Sequence, residues 1–341
     1  MTTDGRSPKS ADGGSFEVNG MSQAGLIVEP QHDAEADRFD VEVEAKLRAT
    51  EERVLGLAGR SVEASQREAL EMAHDIVFNF KPVPWFIWRL ANFVLGGAGE
   101  SPAVSEGLIF GMRRLLFAAA SDPLLGKGEK INNVRTALQI VSSDVIAAAS
   151  VIHSICRRLT SRPLDRIWRP VLDEALIRAR IGHCLARECK EFGAGRGMLA
   201  GFSSRSGLAV LLATGDLDKA QRVLEEIAVG EDACRAAGAV YGCDPMYISA
   251  MLLSAAGCNP EAASGIVPSS SEDSLALVTT DEQMRWLSVL VLCEAFRQGK
   301  ADAVSVRYWD ALKLGHPGKR QILMDEVRKI ARRGHGWNWM T

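Results

Sequence analysis

Residues 67–95 read REALEMAHDIVFNFKPVPWFIWRLANFVL, and within them Leu70, His74 and Val77, then Trp85, Trp88, Leu90 and Val94, fall mostly three or four positions apart. Side chains at those steps share one face of an α-helix, because the helix turns about once every 3.6 residues. The period continues outward through Met112, Leu115, Leu116 and Ala119. No run alternates cleanly between turn pairs, and Ala and Leu outnumber the β-branched residues that favour strands. The body is therefore predicted to be all-α. Helix breaks are expected at Gly96 to Gly99, Asp122-Pro123, Ser161 to Pro163, Gly193 to Gly197, Gly215-Asp216, Cys258 to Pro260, Val267 to Ser271 and His316 to Gly318.

The chain has 341 residues, 47% apolar and 24% charged, enough for one large core or two modest ones. Lys and Arg total 40 against 43 Asp and Glu, a net charge of −3. No global positive field therefore favours nucleic acid or an anionic membrane, and any such role must be local. The amino terminus lacks an apolar secretion segment, and stretches such as Val145 to Cys156 stop short of the roughly 18 apolar residues of a membrane span. Seven cysteines form no C-x-x-C pair and sit mostly in apolar helical context, the pattern of buried thiols in a reducing compartment. The expectation is a soluble cytoplasmic protein without membrane insertion.

Residues 1–35 are polar and glycine-rich, the composition of a disordered tail. Residues 36–66 carry many carboxylates around Phe39, Val43, Leu47, Val54 and Leu57, and are expected to be a helical connector solvated on most sides. The body, 67–335, is predicted to divide at Arg162-Pro163 into sub-bundles of about 67–161 and 163–335. Residues 336–341 form an aromatic tail.

Taken in order, the body resembles the HDOD domain, an all-helical bacterial output module related to HD-type metal phosphohydrolases. Lys81-Pro82-Val83-Pro84-Trp85 is similar to the family's Pro-x-Pro opening. Arg113 to Gly126, with Ala120-Ser121-Asp122, and then Ile131 to Val141 are similar to its helix, tight turn, glycine loop and following Ala-Leu helix. Ala200-Gly201-Phe202-Ser203-Ser204-Arg205-Ser206-Gly207 lies where the hydrolases place an apolar-His-Asp segment. Tyr241 to Leu253 and Gly257-Cys258-Asn259-Pro260-Glu261 look like the next helix and its Gly-x-Pro turn. The resemblance implies an HDOD-like body whose second sub-bundle is related to the HD hydrolase fold.

It also implies what is missing. Hydrolysis at such a centre needs His and Asp converging on a divalent metal that lowers the pKa of bound water. Here Ser204 and Arg205 stand at the His-Asp position, and the first ligand histidine would fall near Arg178, with His183 five residues further on. Neither enzymatic activity nor a cofactor is expected. His32-Asp33 and His74-Asp75 are read as incidental dipeptides.

Other motifs carry weaker chemistry. Gly193-Ala194-Gly195-Arg196-Gly197 resembles a phosphate loop but lacks the preceding strand, so an inter-helix turn is expected. Gly201 to Arg205 is not a nucleophile elbow, since Arg205 replaces the closing glycine. Arg162, Arg166 and Arg169 surround Trp168, a set that is able to grip phosphate and stack a base, or else to form an ordinary solvated helix with its acidic neighbours. Trp337 and Trp339 on a Gly-flanked end are costly to expose, which points to folding back or to docking on a partner.

These readings lead to a non-enzymatic bacterial signalling module. The leading expectation is an adaptor that binds a signalling protein in trans, with Trp337 and Trp339 as docking residues. A first alternative is a sensor in which Ser204, Arg205 and Arg178 hold an anionic nucleotide such as a cyclic dinucleotide. A second is a DNA-associated regulator using Arg162, Arg166, Trp168 and Arg169.

Overall fold

A computed structural model describes residues 31–57, 64–96, 112–214, 216–267, 278–333 and 337–341. Among these residues there is no strand, and the all-α reading is borne out. The first part contains α1 (Gln31–Leu57), α2 (Ala64–Phe80), α3 (Trp85–Val94), α4 (Arg113–Ser121), α5 (Val134–Ile140) and α6 (Ser143–Thr160). The second contains α7 (Asp165–Ala186), α8 (Ala194–Thr214), α9 (Leu217–Ala228), α10 (Ala233–Tyr241), α11 (Pro245–Ala255), α12 (Pro260–Ile266), α13 (Asp281–Arg297), α14 (Val306–Ala311) and α15 (Pro317–Arg333). No single helix among the described residues is long and apolar enough to cross a membrane.

Local sequence fixes many helix ends. Asp216, Asp232 and Asp244 each accept backbone N–H bonds at the starts of α9, α10 and α11. Thr280 and Gln283 form a reciprocal capping box at the start of α13. Such caps satisfy amides that a helix cannot bond internally.

The centre of the molecule is α8, which packs against α6, α7, α11 and α13. It is apolar nearly all round, with Met198, Leu199, Phe202, Leu208, Val210, Leu211 and Leu212 buried, as expected of a helix surrounded by others. Two of its buried serines are satisfied locally: Ser203 Oγ donates to the Ala200 carbonyl at 2.8 Å and Ser204 Oγ to the Gly201 carbonyl at 2.6 Å. Two glycines set how closely its neighbours approach. A β-carbon at Gly201 would overlap the Arg178 carbonyl of α7, and one at Gly207 would overlap the Pro245 carbonyl of α11.

The described part of the 36–66 stretch is helical but is not a solvated connector, and residues 58–63 lie outside the described residues. Helix α1 lies across α2, α11 and α12 and buries Val43, Leu47 and Val54. Its polar groups are also committed to the body. Lys46 Nζ donates to Asn92 Oδ1 at 2.7 Å and to the Gly257 and Cys258 carbonyls at 3.1 and 3.3 Å. Thr50 Oγ1 donates to Ser254 Oγ at 2.6 Å, and His74 Nε2 to Glu44 Oε2 at 2.8 Å. Carboxylates on the outer face of α1 raised its average polarity, while an inner stripe supplies the packing. The tail read over 1–35 lies outside the described residues except for its last few positions, which begin α1. One contiguous core joins the parts on either side of the 161–164 turn, and α2 packs on α11 across that boundary.

Candidate functional site

The α7–α8 crossing builds the site. Glu174 and Arg178 lie one turn apart on α7, and Arg205 follows Gly201 by one turn on α8, so the close approach at Gly201 brings the two guanidiniums to one end of the interface. Helix α13 supplies Glu294 between them. Arg178 Nη1 donates to Glu294 Oε2 at 2.7 Å, and Arg205 Nη2 donates to the same oxygen at 3.1 Å. Arg178 Nε donates to Glu174 Oε1 at 2.8 Å, and Arg297 bonds both Glu174 oxygens, each at 2.7 Å. Gln298 Nε2 donates to the other oxygen of Glu294 at 2.9 Å.

The two arginines are not equivalent. Arg178 is buried, and although burial lowers its pKa, Glu294 and Glu174 outweigh that and hold it above the ordinary guanidinium value. Arg205 is shifted down, first by burial and then by the neighbouring Arg178 charge. It has less compensation: Glu294 is its one carboxylate partner among the described residues, and its Nη1 donates to the neutral Ser204 carbonyl at 3.0 Å. Burial alone would raise the Glu294 carboxyl, but Arg178 and Arg205 hold it at about 2. Cys234, beside them, is pushed up by burial and by Asp244 and Asp232, so its thiol stays protonated.

These groups face a cleft of about 620 Å³ between α7, α8, α10 and α13. Arg178, Arg205, Arg235 and Lys300 line it against Asp232 and Glu294, with Arg178 also paired to Glu174 and Arg235 to Glu231. Leu290, Val291 and Val304 give it an apolar wall. Ser204 lies at its edge with its hydroxyl proton directed to the Gly201 carbonyl.

Ser204, Arg205 and Arg178 are thus brought together, and the other candidate residues are placed differently. Trp337 is buried within the chain and Trp339 is half-buried, its indole N–H donating to Asp122 Oδ2 at 3.2 Å. His153 Nδ1 donates to the Met340 carbonyl at 2.8 Å. The tail folds back, which removes the exposed indoles on which a docking role for Trp337 and Trp339 was reasoned. Trp168 is fully buried and donates to the Pro163 carbonyl at 2.9 Å, so it has no open face for a base. Arg162 lies over Phe80 and Arg169 over Trp168, while Arg166 is exposed. The inter-helix turn expected over Gly193 to Gly197 ends at Gly193: Ala194 to Gly197 are the first turn of α8, where the Gly195 N–H is spent on Asp144 Oδ2 at 2.8 Å. Sequence reasoning missed Glu294, Lys300 and Arg235; only Glu174 carried a local signal, through its four-residue spacing from Arg178.

No protein-family model matches the sequence, and no curated protein matches it significantly. Solved structures do share its architecture. An HDOD domain protein of unknown function from Geobacter sulfurreducens is 13% identical with a TM-score of 0.56, covering 86% of this chain and 99% of its own. The chain has an HDOD-like fold. A candidate signal transduction protein from Marinobacter aquaeolei VT8 is 15% identical with a TM-score of 0.54, again over 86% of this chain. The chain spans 64% of the length of that second structure.

The HDOD-like fold makes a divalent metal the first cofactor to test against the site, because related hydrolases use one. The residues do not fit it. Guanidiniums offer no lone pair to a cation, and the Glu294 oxygens already accept from Arg178, Arg205 and Gln298. Among the described residues no three His, Cys, Asp or Glu side chains converge as a metal would require. The same donors suit an anion, since forked N–H groups match the oxygens of phosphate or carboxylate.

Proposed function

We propose that this HDOD-like chain is a non-enzymatic cytoplasmic signalling module that senses an anionic small molecule, a nucleotide phosphate such as a cyclic dinucleotide, and reports it to a signalling protein in trans. The observation that carries the reading is the cleft in which Arg205 and Arg178 converge beside an apolar wall. A charged floor and an apolar side are what a phosphate attached to a planar base requires. Likeness to a candidate signal transduction protein supports the signalling role. The adaptor reading survives as the output step, without Trp337 and Trp339 as the docking residues.

Calorimetry against cyclic dinucleotides and purine mononucleotides, on the wild type and Arg205→Gln, tests this. Saturable heat with the wild type that is lost in Arg205→Gln is expected. No heat at millimolar ligand, or heat unchanged by the substitution, would refute the sensor. A phosphodiesterase assay with added manganese is expected to show no turnover, and turnover would refute the non-enzymatic part.

A further inference from the structure

We propose that Glu294 is a resident competitor in the cleft: its carboxylate occupies Arg205 in the absence of ligand, and a ligand phosphate takes its place. The inference rests on the anion-binding reading above and concerns how that site is regulated. Three observations lead to it. Glu294 bridges Arg178 and Arg205 through one oxygen, at 2.7 and 3.1 Å. Arg178 retains a second carboxylate, Glu174, at 2.8 Å, whereas Arg205 has no other acidic partner within ion-pair distance among the described residues. Glu294 itself faces the cleft and its side chain is 39% exposed, so it has somewhere to go.

The chemistry sets the class of ligand. A tethered carboxylate acts at high effective concentration, so a free monocarboxylate with the same charge competes poorly. A phosphomonoester or pyrophosphate, with charge near −2 or beyond, gains more from Arg205, and from Lys300 and Arg235 at the rim, than the single charge of Glu294 does, whereas a cyclic dinucleotide carries one charge per phosphodiester and matches this only by presenting both phosphates. Protonation is no alternative trigger, because the two guanidiniums keep the carboxyl ionised far below neutral pH. On displacement Arg178 remains paired with Glu174, so no buried cation is left bare.

Inorganic pyrophosphate is the probe, measured by calorimetry on the full chain as wild type, Glu294→Gln, Glu294→Asp and Arg205→Gln, with folding checked by circular dichroism. Glu294→Gln keeps a hydrogen-bond acceptor for Arg178 and removes the competing charge. It is expected to tighten pyrophosphate roughly tenfold, the equivalent of one charge-assisted hydrogen bond. Glu294→Asp, which keeps the charge for folding but shortens the reach to Arg205, is expected to tighten it by about threefold and serves if the Gln variant fails to fold. Arg205→Gln is expected to abolish the heat. Binding by the wild type with no gain in either Glu294 variant overturns the competitor while leaving the anion site. Absence of binding in the wild type and both Glu294 variants overturns the anion site itself. Acetate binding to the wild type as tightly as pyrophosphate overturns the assigned ligand class.

Discussion

His183 is buried on α7, and its Nδ1 has no hydrogen-bond partner among the described residues. Burial, then the nearby Arg187 charge, lowers its pKa to about 4, against the pull of Asp144, Asp122 and Glu326. The folded chain therefore holds a neutral imidazole, and the unfolded chain binds the extra proton once pH falls below about 6.5. The corresponding stability is fully present above that value and is lost as pH falls toward 4, in total about 3 kcal/mol. We predict that His183→Gln flattens the urea-unfolding free energy between pH 7 and 4 by about that amount relative to wild type. His153, also lowered by burial, and Glu294, held at about 2 by Arg178 and Arg205, contribute to the slope that remains. An unaltered slope in the variant would mean that His183 is solvated or paired. At this scale the sequence singled out Arg205 and Arg178, which the structure brings to one cleft. It was silent on Glu294, whose partners stand 89 and 116 residues away.

Among the elements, α1 separates composition from packing most clearly. Its many carboxylates read as a solvated connector, yet Leu47 is fully buried against the body and Lys46 bonds carbonyls after α11. We predict that Leu47→Ala lowers the unfolding free energy by about 2–5 kcal/mol, the range for a buried leucine. In a solvated connector the same change would cost less than about 0.5 kcal/mol, and chemical denaturation distinguishes the two. The remaining helices were readable from spacing and caps because both are local properties. Helix α8 was readable as apolar, but its role as the central element depends on four neighbours drawn from both sides of the 161–164 turn.

On the scale of the molecule, a core that runs through that turn couples the two sub-bundles. We predict that unfolding in guanidinium, followed by tryptophan fluorescence and by far-ultraviolet circular dichroism, gives coincident transitions, as a single cooperative unit requires. Separated midpoints would show that the sub-bundles unfold independently despite the shared core. Trp168, Trp286 and Trp309 are fully buried and distributed along the second part, while Trp88 lies in the first, so fluorescence samples both.

What the sequence determined by itself was the helical class, most of the breaks and the order of segments that resembles an HDOD domain. Each of these is carried by residues within a few turns of one another, where periodicity and turn chemistry act. The tertiary structure alone decided that α1 belongs to the body, that the terminal indole of Trp337 is buried, and that Arg178, Arg205 and Glu294 meet at one cleft. Those outcomes depend on which helix faces are pressed together, and backbone approach at Gly201 and Gly207 sets that geometry. An isolated helix carries its apolar stripe and its charges, but the partners that cover the stripe and neutralise the charges come from distant parts of the chain.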